Sequence, residues 1–208
     1  MNNFHLVNHP VAQHLLTQLR NKNTPPFLFR TYLYELSKIV GLEATRNLEM
    51  NTMEITTPLE VTSQPIVGID LIIVSIMRAG NGMLDGLLSM FPFARAGHIG
   101  LAREDDGRKT AQYYFKLPPN IENSHALLVD PMVATGGSLI RAISLLKKSG
   151  LKKITICSLL TSPYAKERIL TEYSDVNFYT VSEDRQLNQK NYILPGLGDA
   201  GDRIYGTL

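Results

Sequence analysis

Between Leu127 and Ser138 the chain passes from an apolar run, Leu127-Leu128-Val129, through one acid, Asp130, into the loop Pro131-Met132-Val133-Ala134-Thr135-Gly136-Gly137-Ser138. A helical pattern follows at once. Leu139, Ile140, Ile143, Leu145 and Leu146 are apolar, Lys147 and Lys148 close the last turn, and Gly150 stops it. A strand, a glycine loop and a helix N-terminus in succession bring unpaired amides and the positive end of the helix dipole to one point, which makes an anion site. An acid just before that loop adds an acceptor for hydroxyls or a contact for a metal. The pattern points to a phosphate that also carries hydroxyls, a sugar phosphate.

Three further segments hold groups that could do chemistry. Ser75-Ile76-Met77-Arg78-Ala79-Gly80 places a guanidinium after the apolar run Leu71–Val74. Arg103-Glu104-Asp105-Asp106-Gly107-Arg108-Lys109-Thr110 is charged throughout and has no apolar anchor. It reads either as the solvated turn of a hairpin leading into Tyr113-Tyr114-Phe115 or as a lid whose cations reach a bound phosphate. Tyr113, Tyr114 and Phe115 themselves read as a half-buried strand rather than a base-stacking platform. Near the C-terminus, Gly196-Leu197-Gly198-Asp199-Ala200-Gly201 matches the dinucleotide fingerprint GxGxxG in letters only. Pro195 precedes it and the chain ends too soon for the helix and second strand that the fingerprint requires. No GxxxxGK[ST] loop occurs, and the five histidines are scattered without metal-ligand spacing. The bland alternatives are Arg78 as a surface arginine at a strand end and Asp130 as a helix cap.

The elements that must position these groups follow from periodicity. The first fifty residues read as helical, with Val11, Leu15, Leu16 and Leu19 on one face after Pro10, and a second helix from Pro26 burying Leu33, Leu36, Ile39 and Val40. Met53–Thr57 and Leu59–Thr62 read as two short strands around Pro58. From there apolar run, loop and helix alternate: Leu71–Val74, then a helix Met83–Met90; His98–Ala102; Ala126–Val129 with its helix; Ile154–Leu160; a helix capped by Ser162-Pro163 and running towards Tyr173; and Val176–Val181. Continuous apolar strands alternating with helices predict an α/β fold, a parallel sheet covered on both faces. Ligands of such sheets sit beyond the carboxyl ends of the strands, where the loops after Val74, Ala102 and Val129 would meet.

At 208 residues, with 44% hydrophobic and 19% charged residues, the chain reads as one globular domain spanning 1–208. A net charge of +2 gives no reason to expect nucleic acid or a membrane surface as partner. The single cysteine, Cys157, excludes an intrachain disulfide framework and fits a cytoplasmic protein. The sequence opens without a secretory leader pattern, and no apolar run reaches the ~20 residues of a membrane span.

Taken together, the Arg78 loop, the Asp130–Ser138 loop and the run Tyr192-Ile193-Leu194-Pro195-Gly196-Leu197-Gly198-Asp199-Ala200-Gly201-Asp202 resemble the type I phosphoribosyltransferases, and within them the uracil branch. The likeness covers nearly the whole chain. It implies a parallel sheet flanked by helices, with a small hood built from the N-terminal and C-terminal segments. It also implies transfer of phosphoribose from 5-phosphoribosyl 1-pyrophosphate to uracil, with Mg2+ riding on the sugar pyrophosphate and no metal held by the protein directly. Carried over residue by residue, Ala134, Thr135, Gly136, Gly137 and Ser138 would hold the 5-phosphate, within a binding loop that also includes Pro131, Met132 and Val133. Asp130 would accept from the ribose hydroxyls. Arg78 would meet the pyrophosphate from its own loop and Arg103, or Arg108 in its place, from the lid. Backbone groups of Ile193, Gly198 and Ala200 would read the uracil imide edge, and Asp199 would sit between base, sugar pyrophosphate and magnesium. Arg78, Arg103 and Asp199 would act electrostatically, and no side chain stands out as general base for uracil N1. A homo-oligomer and a GTP effector are further implications. Many members of the superfamily carry two acids here; Pro131, which offers neither an amide nor a second charge, is a departure that the uracil branch shares. Ser75 stands where that family usually has proline, and the charged lid is longer than usual. The rival readings are a related enzyme for a purine or orotate and a non-catalytic regulator on the same fold.

Overall fold

Three runs that are apolar on both faces decide the architecture, because each must be buried from two sides. Leu71–Met77, His125–Val129 and Lys153–Cys157 are buried along nearly their whole length. In the computed structural model, which describes residues 3–103 and 110–207, the chain runs β1 (Phe4–Leu6), α1 (Pro10–Arg20), α2 (Pro26–Ala44), β2 (Met50–Thr56), β3 (Val61–Val67), β4 (Leu71–Met77), α3 (Gly80–Met90), β5 (Arg95–Arg103), β6 (Thr110–Lys116), β7 (His125–Val129), β8 (Met132–Val133), α4 (Gly137–Lys148), β9 (Lys153–Cys157), β10 (Leu160–Thr161), α5 (Pro163–Glu172), β11 (Asn177–Thr180), β12 (Ser182–Glu183), β13 (Gln186–Leu187), β14 (Ile193–Leu194) and α6 (Ala200–Tyr205). Seven strands form the main sheet in the order β1-β11-β9-β7-β4-β5-β6, parallel except for β6. One face packs against α1, α2 and α3, the other against α4 and α5. Among the described residues no helix is long and apolar enough to cross a membrane.

Several expectations hold to within a turn, and four need correction. The N-terminus contributes a strand before its helices: β1 adds to the sheet edge beside β11, with Phe4 edge-on to Phe178 at 5.5 Å. Three residues centred on His5 carry no readable period. α1 starts at Pro10 as expected, but its buried face is Ala12, Leu16 and Leu19, an i, i+4, i+7 stripe that leaves Val11 one residue, about 100°, to the side and exposed. β9 stops at Cys157, and Leu159 and Leu160 leave the main sheet. Their amides bond to the Pro131 carbonyl, at 3.1 Å each, and β10 lies between β8 and β12 in a separate three-stranded sheet. Both leucines are fully buried, so their apolarity says nothing about which sheet they join. The hairpin of β2 and β3 is longer than expected on both sides, and Thr57 Oγ1 accepts from the amides of Leu59 and Glu60 to close its turn. Ser162 caps α5 as expected, accepting from Ala165 N at 3.0 Å, and Cys157 is fully buried, which pushes its thiol up to about 12.

Above the strand ends, β13, β14 and α6 form a hood fastened to the N-terminal helices by arginines. Arg20 at the end of α1 makes a bidentate pair with Asp184, at 2.7 and 2.6 Å, and donates to the Gly196 carbonyl at 2.9 Å. Asp184 also accepts from Gly196 N at 2.9 Å and from Ser182 Oγ at 2.7 Å. Both backbone groups of Gly196, which has φ +61, are thus held. Arg30 donates to Ile204 O at 2.8 Å, and Arg203 to Leu197 O at 2.8 Å and Asn21 O at 2.6 Å. Burial opposes the charge on Asp184, yet the hydrogen bonds from Arg20, Ser182 and Gly196 outweigh it and hold the carboxyl below its ordinary 3.8. Its contribution to stability is therefore complete above that value and lost as pH falls through the folded pKa. Asp184→Asn leaves Arg20 unpaired and should cost about 3 kcal/mol at neutral pH in urea unfolding. It should also remove part of the acid destabilisation that the parent shows below pH 3.8. Identical unfolding curves would show that the pair does not hold the hood.

Candidate active site

The sheet order places a topological switch between β4 and β7. From β4 the chain continues outward to β5 and β6, whereas from β7 it continues the other way to β9 and β11. The loops leaving these two strands diverge and open a crevice. Arg78 leaves β4 and Asp130 leaves β7 on either side of it. The hood roofs the crevice, and the resulting cleft of about 420 Å³ is lined by Arg78, Asp130, Met132, Ala134 and Ser138 from below and by Ile193, Gly198, Asp199 and Ala200 from above. A smaller hollow of about 40 Å³, sharing Asp130, Met132, Ala134 and Ser138 with the cleft, is enclosed by residues 132–139.

That hollow is built to leave amides unspent. The carbonyl of Pro131 accepts from Leu159 and Leu160, and that of Val133 from Ser162 N at 3.1 Å. Ala134 O accepts from Ser162 Oγ at 2.6 Å and Thr135 O from Arg168 Nη1 at 3.2 Å. The loop's acceptors are thereby committed to the surrounding elements. Gly136 then starts α4 at φ +78 with no side-chain cap, so the amides of Gly137, Ser138 and Leu139 have no acceptor within the helix. In α5, by contrast, Ser162 supplies a cap. An uncapped helix N-terminus lining a small hollow suits a phosphate group. Val133 contributes backbone only, its side chain being buried in the core, and Pro131 lies outside both linings.

On the opposite wall Arg78 is 55% exposed and donates to Asp202 Oδ1 at 3.2 Å. Thr207 Oγ1 and Arg78 together hold Asp202 below the usual carboxylate range, the threonine bond being the larger cause. Tyr205 Oη donates to the Arg78 carbonyl at 3.2 Å, which ties the β4 loop to the hood. Asp199 caps α6, its Oδ1 accepting from Asp202 N at 3.0 Å. A Cβ on Gly201 would lie 3.2 Å from Asp199 Oδ1 and 3.4 Å from Arg78 Nη2, so carboxylate and guanidinium flank the same backbone. Asp130 accepts from Met132 N at 3.4 Å.

Ile76, Met77, Ala79, Tyr192 and Gly201, from the segments singled out in the sequence, also line the cleft without having been given a role there. The cleft draws further on residues that the sequence did not mark: Leu101 on β5, and Lys190 and Asn191 from the β13–β14 turn. The readable sign was the polar turn Asn188-Gln189-Lys190-Asn191 directly before the Tyr192–Asp202 run. Arg103 ends β5 next to the cleft-lining strand, and Arg108 lies outside the described residues. Tyr113 and Tyr114 are on a strand, as expected, but their side chains are exposed rather than half-buried.

A family model described as uracil phosphoribosyltransferase matches residues 6–207. A uracil phosphoribosyltransferase of Polaromonas naphthalenivorans is 48% identical over 208 residues, covering all of both chains. Among solved structures, the AQ2163 protein of Aquifex aeolicus superposes with a TM-score of 0.92 at 31% identity over 97% of each chain. An adenine phosphoribosyltransferase of Trypanosoma brucei shares the fold, at a TM-score of 0.57 and 16% identity, over 96% of this chain and 89% of that one. The hollow's dependence on Gly136 is testable. A Cβ there would meet Ile169 Cγ1 at 3.2 Å in a left-handed backbone, so Gly136→Ala should weaken binding of ribose 5-phosphate by about tenfold or more in calorimetry. Parent-like binding would place the phosphate elsewhere.

Proposed function

The chain belongs to the uracil phosphoribosyltransferase family, and on that premise we propose how its cleft divides the work. The enzyme transfers phosphoribose from 5-phosphoribosyl 1-pyrophosphate (PRPP) to uracil, giving UMP and pyrophosphate in pyrimidine salvage. One observation carries the division: the uncapped start of α4 and the hood loop face each other across one cleft. Residues 134–138 take the 5-phosphate through amides and hydroxyls, and Asp130 accepts from the ribose diol. Arg78, with Arg103 from the lid side, meets the pyrophosphate. Backbone groups of Ile193, Gly198 and Ala200 pair with the acceptor-donor-acceptor edge of uracil. Cytosine would leave some of these groups buried and unpaired, which is worth up to about 10⁴-fold in discrimination.

Loss of pyrophosphate gives the anomeric carbon oxocarbenium character, so the protein's contribution is positioning and charge rather than covalent chemistry. Arg78 and Arg103 stabilise the departing negative charge, Asp199 and Asp130 face the developing positive charge, and the hood limits water. Asp130 and Asp199 are carboxylates lining the cleft, a hard-oxygen set that fits Mg2+ arriving with PRPP. When bound, the ion neutralises the leaving pyrophosphate. The proposal extends to a homo-oligomer. Met50, Met53, Leu59, Val61 and Ile66 on the β2–β3 hairpin are all exposed, Leu59 to 95%, an apolar surface of the kind that partners cover.

Incubation with Mg2+, PRPP and a panel of uracil, cytosine, hypoxanthine, adenine and orotate should yield UMP from uracil and no comparable product from the others. Preference for another base would overturn the reading. Arg78→Ala should lower kcat/KM for PRPP by roughly 10²-fold while leaving KM for uracil within about twofold. Arg103→Ala and Arg108→Ala, assayed separately, identify the lid cation, and an unchanged Arg103→Ala enzyme removes Arg103 from the site.

A further inference from the structure

Ser75 is fully buried near the end of β4. Its position in the strand turns it towards the α3 side of the sheet, with Leu71 and Ile73. Its hydroxyl joins three segments: Oγ donates to Asn81 Oδ1 in the first turn of α3 at 2.8 Å, and meets His98 Nδ1 on β5 at 2.9 Å. A hydroxyl has one proton. With that proton given to Asn81, Oγ must accept from a protonated Nδ1, an arrangement that neutral imidazole and imidazolium both allow. Directly above, a Cβ on Gly80 would lie 3.3 Å from Ser75 Cβ and 2.6 Å from Val129 O, so α3 begins in close contact with this hydroxyl and with β7. The two residues between strand and helix are Arg78 and Ala79, both lining the cleft. The Arg78 guanidinium is 55% exposed, and its side-chain partners among the described residues, Asp202 and the Tyr205 ring at 5.8 Å, belong to the hood rather than to this loop. The direction of Arg78 from below is therefore set by where β4 ends and where α3 starts.

We infer that Ser75, Asn81 and His98 form one hydrogen-bonded brace that fixes the Arg78 loop and so positions its guanidinium for PRPP. They are positioning residues, acting through Arg78, and the inference rests on Arg78 meeting the pyrophosphate. Asn81→Leu removes the acceptor and His98→Val the donor, whereas Asn81→Asp and His98→Asn keep a group of the same kind. The expected result is a rise of roughly tenfold in KM for PRPP for Ser75→Ala, Asn81→Leu and His98→Val, with KM for uracil and kcat within about threefold. Asn81→Asp and His98→Asn should stay within about twofold of the parent, and Ser75→Ala combined with Asn81→Leu should be no worse than the more severe single change. A brace that only stabilises the fold would lower Tm and leave KM for PRPP untouched, which overturns the proposal. Should Ser75→Ala fail to fold, the half-buried Asn81 and His98 carry the test. Arg78→Ala is the control. If it leaves kcat/KM for PRPP unchanged, the assignment of Arg78 fails; if it lowers kcat/KM and the brace variants do not, the brace fails alone.

Discussion

The buried pair of Arg20 and Asp184 is the interaction on which the upper half of the cleft depends. The hood consists of a two-stranded ribbon and a six-residue helix, elements too small to hold a shape by their own burial. Asp184 is 2% exposed and Arg20 24%, so the pair sits where a lone charge would be costly and a satisfied one is directional. It spends that directionality on Gly196, holding its amide and its carbonyl at once. The loop that follows is thereby fixed relative to α1, and α1 is packed on the sheet. Through this chain of contacts the position of Gly198–Ala200 is referred to the same sheet that places Arg78 and Asp130.

The lower half is held differently. The phosphate loop's carbonyls are bonded outward to Leu159, Leu160, Ser162 and Arg168. What remains available is a run of donors at the start of α4. An anion therefore fits below. Above, in the division proposed here, the backbone of Ile193, Gly198 and Ala200 takes a neutral planar base. Between them stand Arg78 and Asp199, both next to Gly201. That separation of charge character along one cleft is what a reaction joining a sugar phosphate to a base requires, since the developing charges fall in the middle.

Most of this was legible in the sequence because the informative segments are local. The strand–loop–helix run from Leu127 to Gly150 states its own geometry, and the β4 and β7 runs announce a doubly covered sheet. Non-local features were not legible. Nothing near Arg20 signals Asp184, which lies 164 residues away, and nothing near Ser75 signals His98 on the neighbouring strand. Leu159 and Leu160 were read into the wrong sheet because burial alone does not name a partner. β1 went unread because three residues have no period, and Lys190 and Asn191 because a polar turn looks the same over solvent as over a cleft.

A structure of the protein with UMP bound tests the division of the cleft most directly. The 5-phosphate should lie against the amides of Gly137 and Ser138, the ribose hydroxyls on Asp130, and the uracil edge on the backbone of Ile193, Gly198 and Ala200. A phosphate seated away from the start of α4, or a base held by side chains outside the hood, would contradict it.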